Sequence, residues 1–401
     1  MRVLFVNSVA GTGSTGRICT DLYDELASRG HDTCIAYGRG NLADRYVQYH
    51  IGDSLSVLEH GLESRLLDNH GRASRYPTRK FVDFIRDWAP DVINLHNIHG
   101  YYLNYPILWD FLKVSPVKIV WTFHDCWPFL PHSAYLQDDK AVVVNESMAS
   151  VRHNYPKSWF INQSRKNYTT KKHFFQTAGS LTIVTPSNWL AGLVRKSFLA
   201  SSPTKVIRNG IDTKVFYPKK LSNCTSSTAK KRILGVASYW DERKGLEFFI
   251  KLAQLTFSKY EIQLIGRMGP QQTKMCSRAG IDVKDHVEST QELADIYRSA
   301  SVFINPTLQD NYPTTNIEAL ACGTPVITFD TGGSPEALSM GGGIITSRKS
   351  AAGILDALSI IESDHMMEWT PTSEALFSYS RERMVQEYIS EFEEASISSN
   401  P

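Results

Sequence analysis

The sequence predicts an α/β protein made of two doubly wound, Rossmann-like domains, and three observations lead there. Its 401 residues exceed what a single hydrophobic core usually organises. Short apolar runs recur along it, each followed by a Gly-rich or polar loop and then a helical pattern. The series also starts afresh at Ile233, after the Ser/Thr/Lys-rich stretch Lys219–Lys231, which reads as a linker.

In the first series, Val3–Val6 reads as a buried strand, followed by Gly11-Thr12-Gly13-Ser14-Thr15-Gly16 and an amphipathic helix ending near Gly30. This satisfies G-x-G-x-x-G, a weak signal by itself. The second strand, Thr33–Tyr37, ends in Gly38-Arg39 and not in the acidic residue a dinucleotide site uses, so hydride chemistry is disfavoured. Arg17-Ile18 stand where a P-loop needs Lys and Ser/Thr. What remains is a loop, at Gly13 and Ser14, whose amides can approach a phosphate or sugar closely.

Residues 53–88 read as helices and loops with little chemistry. The strand Val92–Leu95 delivers His96-Asn97-Ile98-His99-Gly100-Tyr101. Two histidines three apart invite a metal, but no third ligand is spaced to help. Polar and aromatic groups at a strand's C-terminal end suit a polar ligand, with loop packing the plain alternative for His99 and Tyr101. Val117–Phe123 leads into His124-Asp125-Cys126-Trp127-Pro128. Leu181–Thr185 is the strand of the last full strand–helix unit, and Lys205-Val206-Ile207 runs into Arg208-Asn209-Gly210-Ile211-Asp212.

The second series opens with Ile233–Ala237 and the loop Trp240-Asp241-Glu242-Arg243-Lys244-Gly245. Ile262–Ile265 is the next strand, and Thr290 is expected to cap a helix over Gln291–Ser299. Val302–Ile304 is a buried strand ended by Pro306, and a polar loop carries Asp310 to Pro313 at an expected first helical position. The helix Thr314–Cys322 closes at Gly323, and Val326–Phe329 runs into Thr331-Gly332-Gly333-Ser334. Asp310 and Glu318 thus fall at the C-terminal edge of a parallel sheet, where open α/β sheets place ligands. The amides of Thr314 and Thr315 would favour an anion, and Glu318, one turn in, could meet hydroxyls beyond it. The plain alternative is an acid that merely supports its own helix. Ile344-Ile345, Ala351–Glu362 and a final amphipathic helix, Phe377–Glu394, complete the chain.

With 42% hydrophobic and 21% charged residues, the composition is that of an ordinary globular protein. The six cysteines (Cys19, Cys34, Cys126, Cys224, Cys276, Cys322) form no C-x-x-C pair, so a reduced compartment is expected. The chain enters a strand directly, giving an expectation of no signal peptide, and no apolar run reaches bilayer length. The net charge of +2 hides an asymmetry, with 24 Lys+Arg against 17 Asp+Glu up to Arg208 and 19 against 24 beyond it. Between Glu146 and Asp212 there is no acidic residue, while Arg152, Lys157, Arg165, Lys166, Lys171, Lys172, Arg195, Lys196, Lys205 and Arg208 occur there. Trp159, Phe160, Phe174, Phe175, Trp189 and Phe198 are interleaved. Such a stretch suits an anionic membrane surface or a nucleic acid, with a solvated basic face as the plain alternative. No nucleic-acid motif accompanies it, so no nucleic-acid partner is expected.

Asp310, seven residues, Glu318 and then Ala-Leu-Ala-Cys-Gly-Thr-Pro-Val-Ile resembles the nucleotide-sugar motif of retaining GT-B glycosyltransferases of the family 4 (group 1) type. The usual motif has Glu at both ends, and this chain has Asp310 at the first. Asp310-Asn311-Tyr312-Pro313 is similar to a polysaccharide-assembly branch. The Thr-Phe-His-Asp-Cys-Trp-Pro run at 122–128 and Asn-Gly-Ile-Asp at 209–212 extend the resemblance. It implies a GT-B fold: two Rossmann-like domains facing a central cleft, 1–208 for the acceptor and 209–376 for the nucleotide sugar, with the helix 377–396 packing back on the first.

The resemblance also implies roles. Lys244 would pair with the donor diphosphate, and Arg243 could replace an arginine that usually stands several residues earlier. His124 would orient the sugar and Asp310 hold its hydroxyls, these with Lys244 forming the catalytic set. Glu318 would take the ribose, with Asn311, Tyr312, Pro313, Thr314 and Thr315 around the donor and Gly13-Ser14 closing over it. His96, Asn97, His99 and Tyr101 would meet the acceptor. No cofactor and no metal are expected, fixed cations and dipoles substituting; relatives' additional cysteines are missing from 131–148. The implied reaction moves a hexose or N-acetylhexosamine, from a UDP-sugar by family habit, to a lipid-linked oligosaccharide, with the enzyme cytoplasmic and peripheral at the inner face of the plasma membrane. The other reading is a nucleotide-sugar-binding protein without turnover, suggested by Asp310 and the missing arginine.

Overall fold

The computed structural model describes residues 1–136, 158–177, 180–219, 230–256 and 259–397. Contacts divide the chain into two compact units, one of residues 1–208 with 384–401 and the other of residues 209–383.

The first unit is a seven-stranded parallel sheet. Its strands are β1 (Arg2–Val9), β2 (Asp32–Arg39), β3 (Gln48–His50), β4 (Val92–Leu95), β5 (Lys118–Thr122), β6 (Leu181–Thr185) and β7 (Thr204–Val206), in spatial order 3-2-1-4-5-6-7. Parallel strands covered on both faces must be apolar on both, and β1 shows how the sequence meets that demand. Leu4 and Val6 enter one core with Trp109, Trp121 and Phe175, while Val3 and Phe5 enter another on the opposite face. That second core is completed by Met384, Val385, Tyr388, Ile389 and Phe392. All five sit on the last helix, Arg381–Ile397. The single helix expected over Phe377–Glu394 is two, Ser373–Tyr379 and Arg381–Ile397. Ser380 between them is extended and bridges to Ile211, which interrupts the helical hydrogen bonding.

The second unit has six parallel strands. They are β8 (Lys231–Tyr239), β9 (Tyr260–Arg267), β10 (Asp282–Lys284), β11 (Val302–Asn305), β12 (Val326–Phe329) and β13 (Gly343–Thr346), in order 10-9-8-11-12-13. Alternation again divides the core: Val302 and Ile304 face one side of the sheet, Phe303 the other. In both sheets the strand order reverses once, between β1 and β4 and between β8 and β11. The loops leaving the C-terminal ends of the strands at such a reversal form the crevice where doubly wound sheets bind ligands.

Local details differ from the sequence expectation by a residue or two. Pro313 precedes the helix Thr314–Ala321 as its N-cap, with an extended ψ of 120°, and is not its first residue. Ser289, not Thr290, caps the helix Thr290–Ser299, its hydroxyl accepting from the Glu292 amide at 3.1 Å. The helix Gly13–Ser28 begins inside the glycine run, so Gly13 and Ser14 form its exposed first turn where the sequence suggested a free loop.

Candidate functional site

In the second unit, three loops meet at the sheet reversal: Asp241–Gly245 after β8, Pro306–Pro313 after β11 and Asp330–Ser334 after β12. Their backbones lock together. Leu308 N–H donates to the Arg243 carbonyl at 2.8 Å, and Gly333 N–H donates to the Asp310 carbonyl at 3.1 Å. Gly332 adopts φ +56°, and a Cβ there would lie 2.1 Å from the Asp310 oxygen, so only glycine lets the two loops approach this closely.

This scaffold aims charges at one another. Lys244 Nζ donates to Asp310 Oδ2 at 2.6 Å. Arg243 donates to the Gln309 carbonyl at 2.8 Å and holds a second nitrogen-to-Asp310 approach of 3.6 Å. Arg243 therefore stands beside Lys244 at the same carboxylate. Burial alone would raise the Asp310 pKa, but Lys244, Arg243 and the Asn311 amide outweigh it, holding the group below the usual 3.8. Asp310 is ionised beside two cations, and Asp241 in turn lies 3.8 Å from Arg243.

The helix Thr314–Ala321 starts immediately beyond, with Thr314 and Thr315 half-buried in its first turn. The first amides of a helix have no partner within it, so this end favours an anion. Glu318, one turn in, is buried and accepts from the Tyr297 hydroxyl at 3.1 Å. Asn311 is buried, its amide donating to Asp310 Oδ1 at 2.9 Å. The Tyr312 ring packs into the core with Phe303 and Ile317. Asn316, not singled out from the sequence, ties β11 to the loop after β12, accepting from Asn305 at 2.7 Å and donating to Ser334.

In the first unit, the loops after β4 and β5 carry the remaining candidates. Asn94 on β4 is fully buried, and its amide nitrogen donates to the Val120 carbonyl at 2.9 Å. Its oxygen therefore faces His96 Nε2, 2.8 Å away, which must donate. Burial, helped by the neighbouring His124, holds His96 well below its ordinary 6.5, so the ring is neutral and its Nδ1 is an acceptor. His124 Nε2–H then donates to that Nδ1 at 2.9 Å, the two rings stacked. Burial also depresses His124, to about 4, against an opposing pull from Asp125. The chain of bonds places the proton of neutral His124 on Nε2.

His96 is 1% exposed with both ring nitrogens used, so it backs His124 and does not line a surface as its placement among acceptor contacts supposed. Asn97 and His99 are half-buried; the Asn97 amide donates to Asn7 at 3.3 Å, and His99 donates to Asp125 Oδ2 at 2.9 Å. The two histidines that invited a metal thus face different partners. Tyr101 follows Gly100 in a turn of positive φ, at +71° and +116°.

Beneath this loop lies a buried knot that sequence spacing hid. Asp68 and His70, neighbours in sequence, meet His132 from 64 residues beyond Asp68. His132 Nδ1 stands 2.6 Å from Asp68 Oδ1, whereas two ligands on a tetrahedral metal, each about 2.0–2.1 Å from it, stand roughly 3.3 Å apart. The short contact is a hydrogen bond. Asp68 also accepts from the Gln163 amide at 2.7 Å. Lys171, fully buried, donates to the Trp127 and Leu130 carbonyls at 2.6 and 2.9 Å over the Trp127 ring. It is thus part of the interior, not of a basic surface. Arg152 and Lys157 lie outside the described residues. Phe175 and Phe198 are core, whereas Trp159 and Phe160 are exposed.

Residues 15–215 match the family described as Glycosyltransferase Family 4, and residues 230–364 match Glycosyl transferases group 1. Alpha-maltose-1-phosphate synthase of Mycolicibacterium smegmatis is 26% identical over 180 residues, 40% of this chain and 46% of that protein. An N,N'-diacetylbacillosaminyl-diphospho-undecaprenol alpha-1,3-N-acetylgalactosaminyltransferase of Campylobacter jejuni is 23% identical over 205 residues, 48% of this chain and 54% of its own. The chain thus spans about half the length of these curated relatives. Among solved structures, Anabaena HepE in complex with UDP-glucose superposes with a TM-score of 0.66 at 15% identity, covering all of both chains. That likeness shows the shared GT-B fold.

Proposed function

The chain belongs to glycosyltransferase family 4, and from that premise we propose that it transfers a sugar, with retention, from a nucleotide-sugar donor to a sugar hydroxyl of a lipid-linked oligosaccharide. One observation carries the reading: Lys244 and Arg243 converge on ionised Asp310 next to the N-terminus of the helix that bears Glu318. Breaking the anomeric C–O bond builds positive charge on the ring and negative charge on the departing diphosphate. Lys244, Arg243 and the first amides of the helix Thr314–Ala321 supply the positive field for that diphosphate. Fixed cations and a helix end serve here in the role a metal ion plays elsewhere. Asp310 holds donor-sugar hydroxyls and Glu318 the ribose. For the first unit, His124 orients the transferred sugar, while Asn97, His99 and Tyr101 serve the acceptor and Gly13-Ser14 offer amides to the donor.

UDP is the proposed nucleotide, since the neighbouring HepE structure holds UDP-glucose. The lipid-linked acceptor follows the undecaprenol-linked substrate named for the Campylobacter relative. Among the described residues no helix is long and apolar enough to cross a membrane. The proposed place of action, a membrane surface, follows from the lipid-linked acceptor.

The test is a binding and hydrolysis panel across nucleotide sugars, with wild type beside Lys244→Ala and Glu318→Ala. One nucleotide sugar that binds or is slowly hydrolysed, and is lost in both variants, supports the reading and names the donor. Nucleotide binding with no sugar discriminated or turned over, even with acceptors present, would replace it with a silent nucleotide-sugar binder. No nucleotide binding at all would remove the site.

A further inference from the structure

The helix Ser54–Leu67 in the first unit is built inside out. Its buried residues are His60, Gly61 and Ser64. Its solvent face carries Leu55, Leu58, Leu62 and Leu66, between 40 and 69% exposed. At 100° per residue these four fall within about 80° of one another, a continuous apolar stripe. The buried side is specific: His60 Nδ1 meets the Ser74 hydroxyl at 2.7 Å, and its Nε2 accepts from the Gly71 amide at 3.2 Å. Those bonds fix the rotation of the helix, so the leucines cannot turn inward without breaking them.

The stripe continues onto a second segment. Trp159 N–H donates to the Arg65 carbonyl at 2.7 Å, at the C-terminal end of the helix. Trp159 and Phe160 are 53 and 73% exposed, and Ile161 and Leu67 are exposed beside them. Contiguous apolar surface on this scale marks a binding face, whereas scattered single residues would not.

We propose that this face docks the protein on an anionic lipid bilayer, the leucine stripe and Trp159-Phe160 entering the headgroup boundary. Charge selects that occupant. Arg65 borders the stripe on one side, and exposed Arg165, Lys166 and Lys172 follow on the next helix, Ser164–Phe175. From 147 to 211 the sequence holds no acidic residue. Glu59 and Glu63 stand on the stripe's other flank and Asp53 caps the helix, so the basic border lies on the Arg65 side and on the helix Ser164–Phe175. An apolar stripe with exposed Trp and Phe, bordered by Lys and Arg, is the pattern of an interfacial helix on anionic lipid.

The face also adjoins the acceptor loop. The Arg65 guanidinium lies 5.7 Å from the Tyr101 ring centroid and 5.9 Å from that of Trp159, linking the two. A lipid-linked acceptor would then reach Tyr101 from the membrane. That link rests on the acceptor reading above, whereas the docking itself is independent of any transfer.

The experiment is co-sedimentation of the full chain with vesicles of phosphatidylglycerol and phosphatidylcholine, or of phosphatidylcholine alone. Wild type is compared with a Leu58→Ser, Leu62→Ser, Leu66→Ser triple variant and a Trp159→Ala, Phe160→Ala double variant. The expected result is binding to the anionic vesicles, weakened by salt, with the partition coefficient reduced at least about tenfold in the triple variant. Because the replaced side chains are exposed, the urea midpoint should stay at the wild-type value, which separates lost docking from lost folding. Failure to bind anionic vesicles, or binding unchanged in both variants, overturns the proposal. So does a wild-type dimer by light scattering that becomes monomeric in the triple variant with vesicle partition unaltered. The donor panel reads separately, so failure of docking and failure of the transfer reading are distinguishable.

Discussion

Replacing Lys244 by alanine tests whether the pair at Asp310 is built for a departing anion or only for the fold. Lys244 Nζ is 2.6 Å from Asp310 Oδ2, and both side chains are about one-fifth exposed, so the contact is a charge-assisted bond in partial shelter. Such bonds contribute about 1.5–3 kcal/mol at most to stability. Here the loss is buffered. Arg243 already lies 3.6 Å from the same oxygen, anchored by Gln309, and the Asn311 amide holds the other oxygen at 2.9 Å. The stability cost should therefore fall near 1 kcal/mol. The rate cost should be far larger, because a fixed donor aimed at developing charge is worth roughly 10²–10³ in turnover. The assay is transfer or hydrolysis of the nucleotide sugar the panel selects, run beside urea denaturation of the same variant. Turnover within tenfold of wild type would refute the reasoning, as would a rate loss matched by unfolding. Rescue by Lys244→Arg would be incomplete, since the guanidinium would have to share space with Arg243.

Two further predictions concern the fold that holds these charges. Burial depresses His60 to about 3, His70 to about 2 and His124 to about 4, and holds His96 well below 6.5. Groups with depressed folded values add stability that is present above the unfolded pKa near 6.5 and is lost as pH falls toward the folded values. Denaturation followed by Trp fluorescence should show stability dropping below pH 6.5 by up to about 1.4 kcal/mol per pH unit for each such histidine; a flat profile from pH 7 to 5 would contradict the buried neutral assignments. Gly332→Ala should cost roughly 2 kcal/mol or more, because a Cβ at φ +56° would meet the Asp310 carbonyl at 2.1 Å. An unchanged urea midpoint would mean that the loop after β12 can move away from Asp310 freely.

The strands were legible where they are buried on both faces: Val92–Leu95, Leu181–Thr185 and Val326–Phe329 are visible as short apolar runs between loop signals. Short edge strands such as β3 carry no such run, because an edge needs less apolar surface. Asp310 and Glu318 could be singled out because each follows a recognisable strand, whereas Lys244 is marked by the family resemblance of its loop. Partners could not be read the same way. That Lys244 meets Asp310 depends on loops 66 residues apart closing together, and that Asp68 meets His132 depends on segments 64 residues apart. Burial inverted other readings: Lys171 counted as a surface charge in sequence but is sealed between two carbonyls and an aromatic ring.

The helix Ser54–Leu67 shows most directly where periodicity stops informing. Its leucines recur at helical spacing, and the usual inference is that such a stripe faces the core. That inference assumes that water is the only alternative solvent for apolar side chains. When the opposite face carries His60 and Ser64 at positions that close hydrogen bonds or bury small groups, the stripe must go outward, and its free energy has to be recovered elsewhere. A second apolar phase satisfies that requirement without disturbing the fold. The same argument explains why the exposed Trp159 and Phe160 accompany the leucines, while the aromatics further along, Phe175 and Phe198, fill the interior. Sequence composition alone placed all of them in one basic, aromatic stretch. Which of them meet lipid is decided by the hydrogen bonds on the buried side of a neighbouring helix.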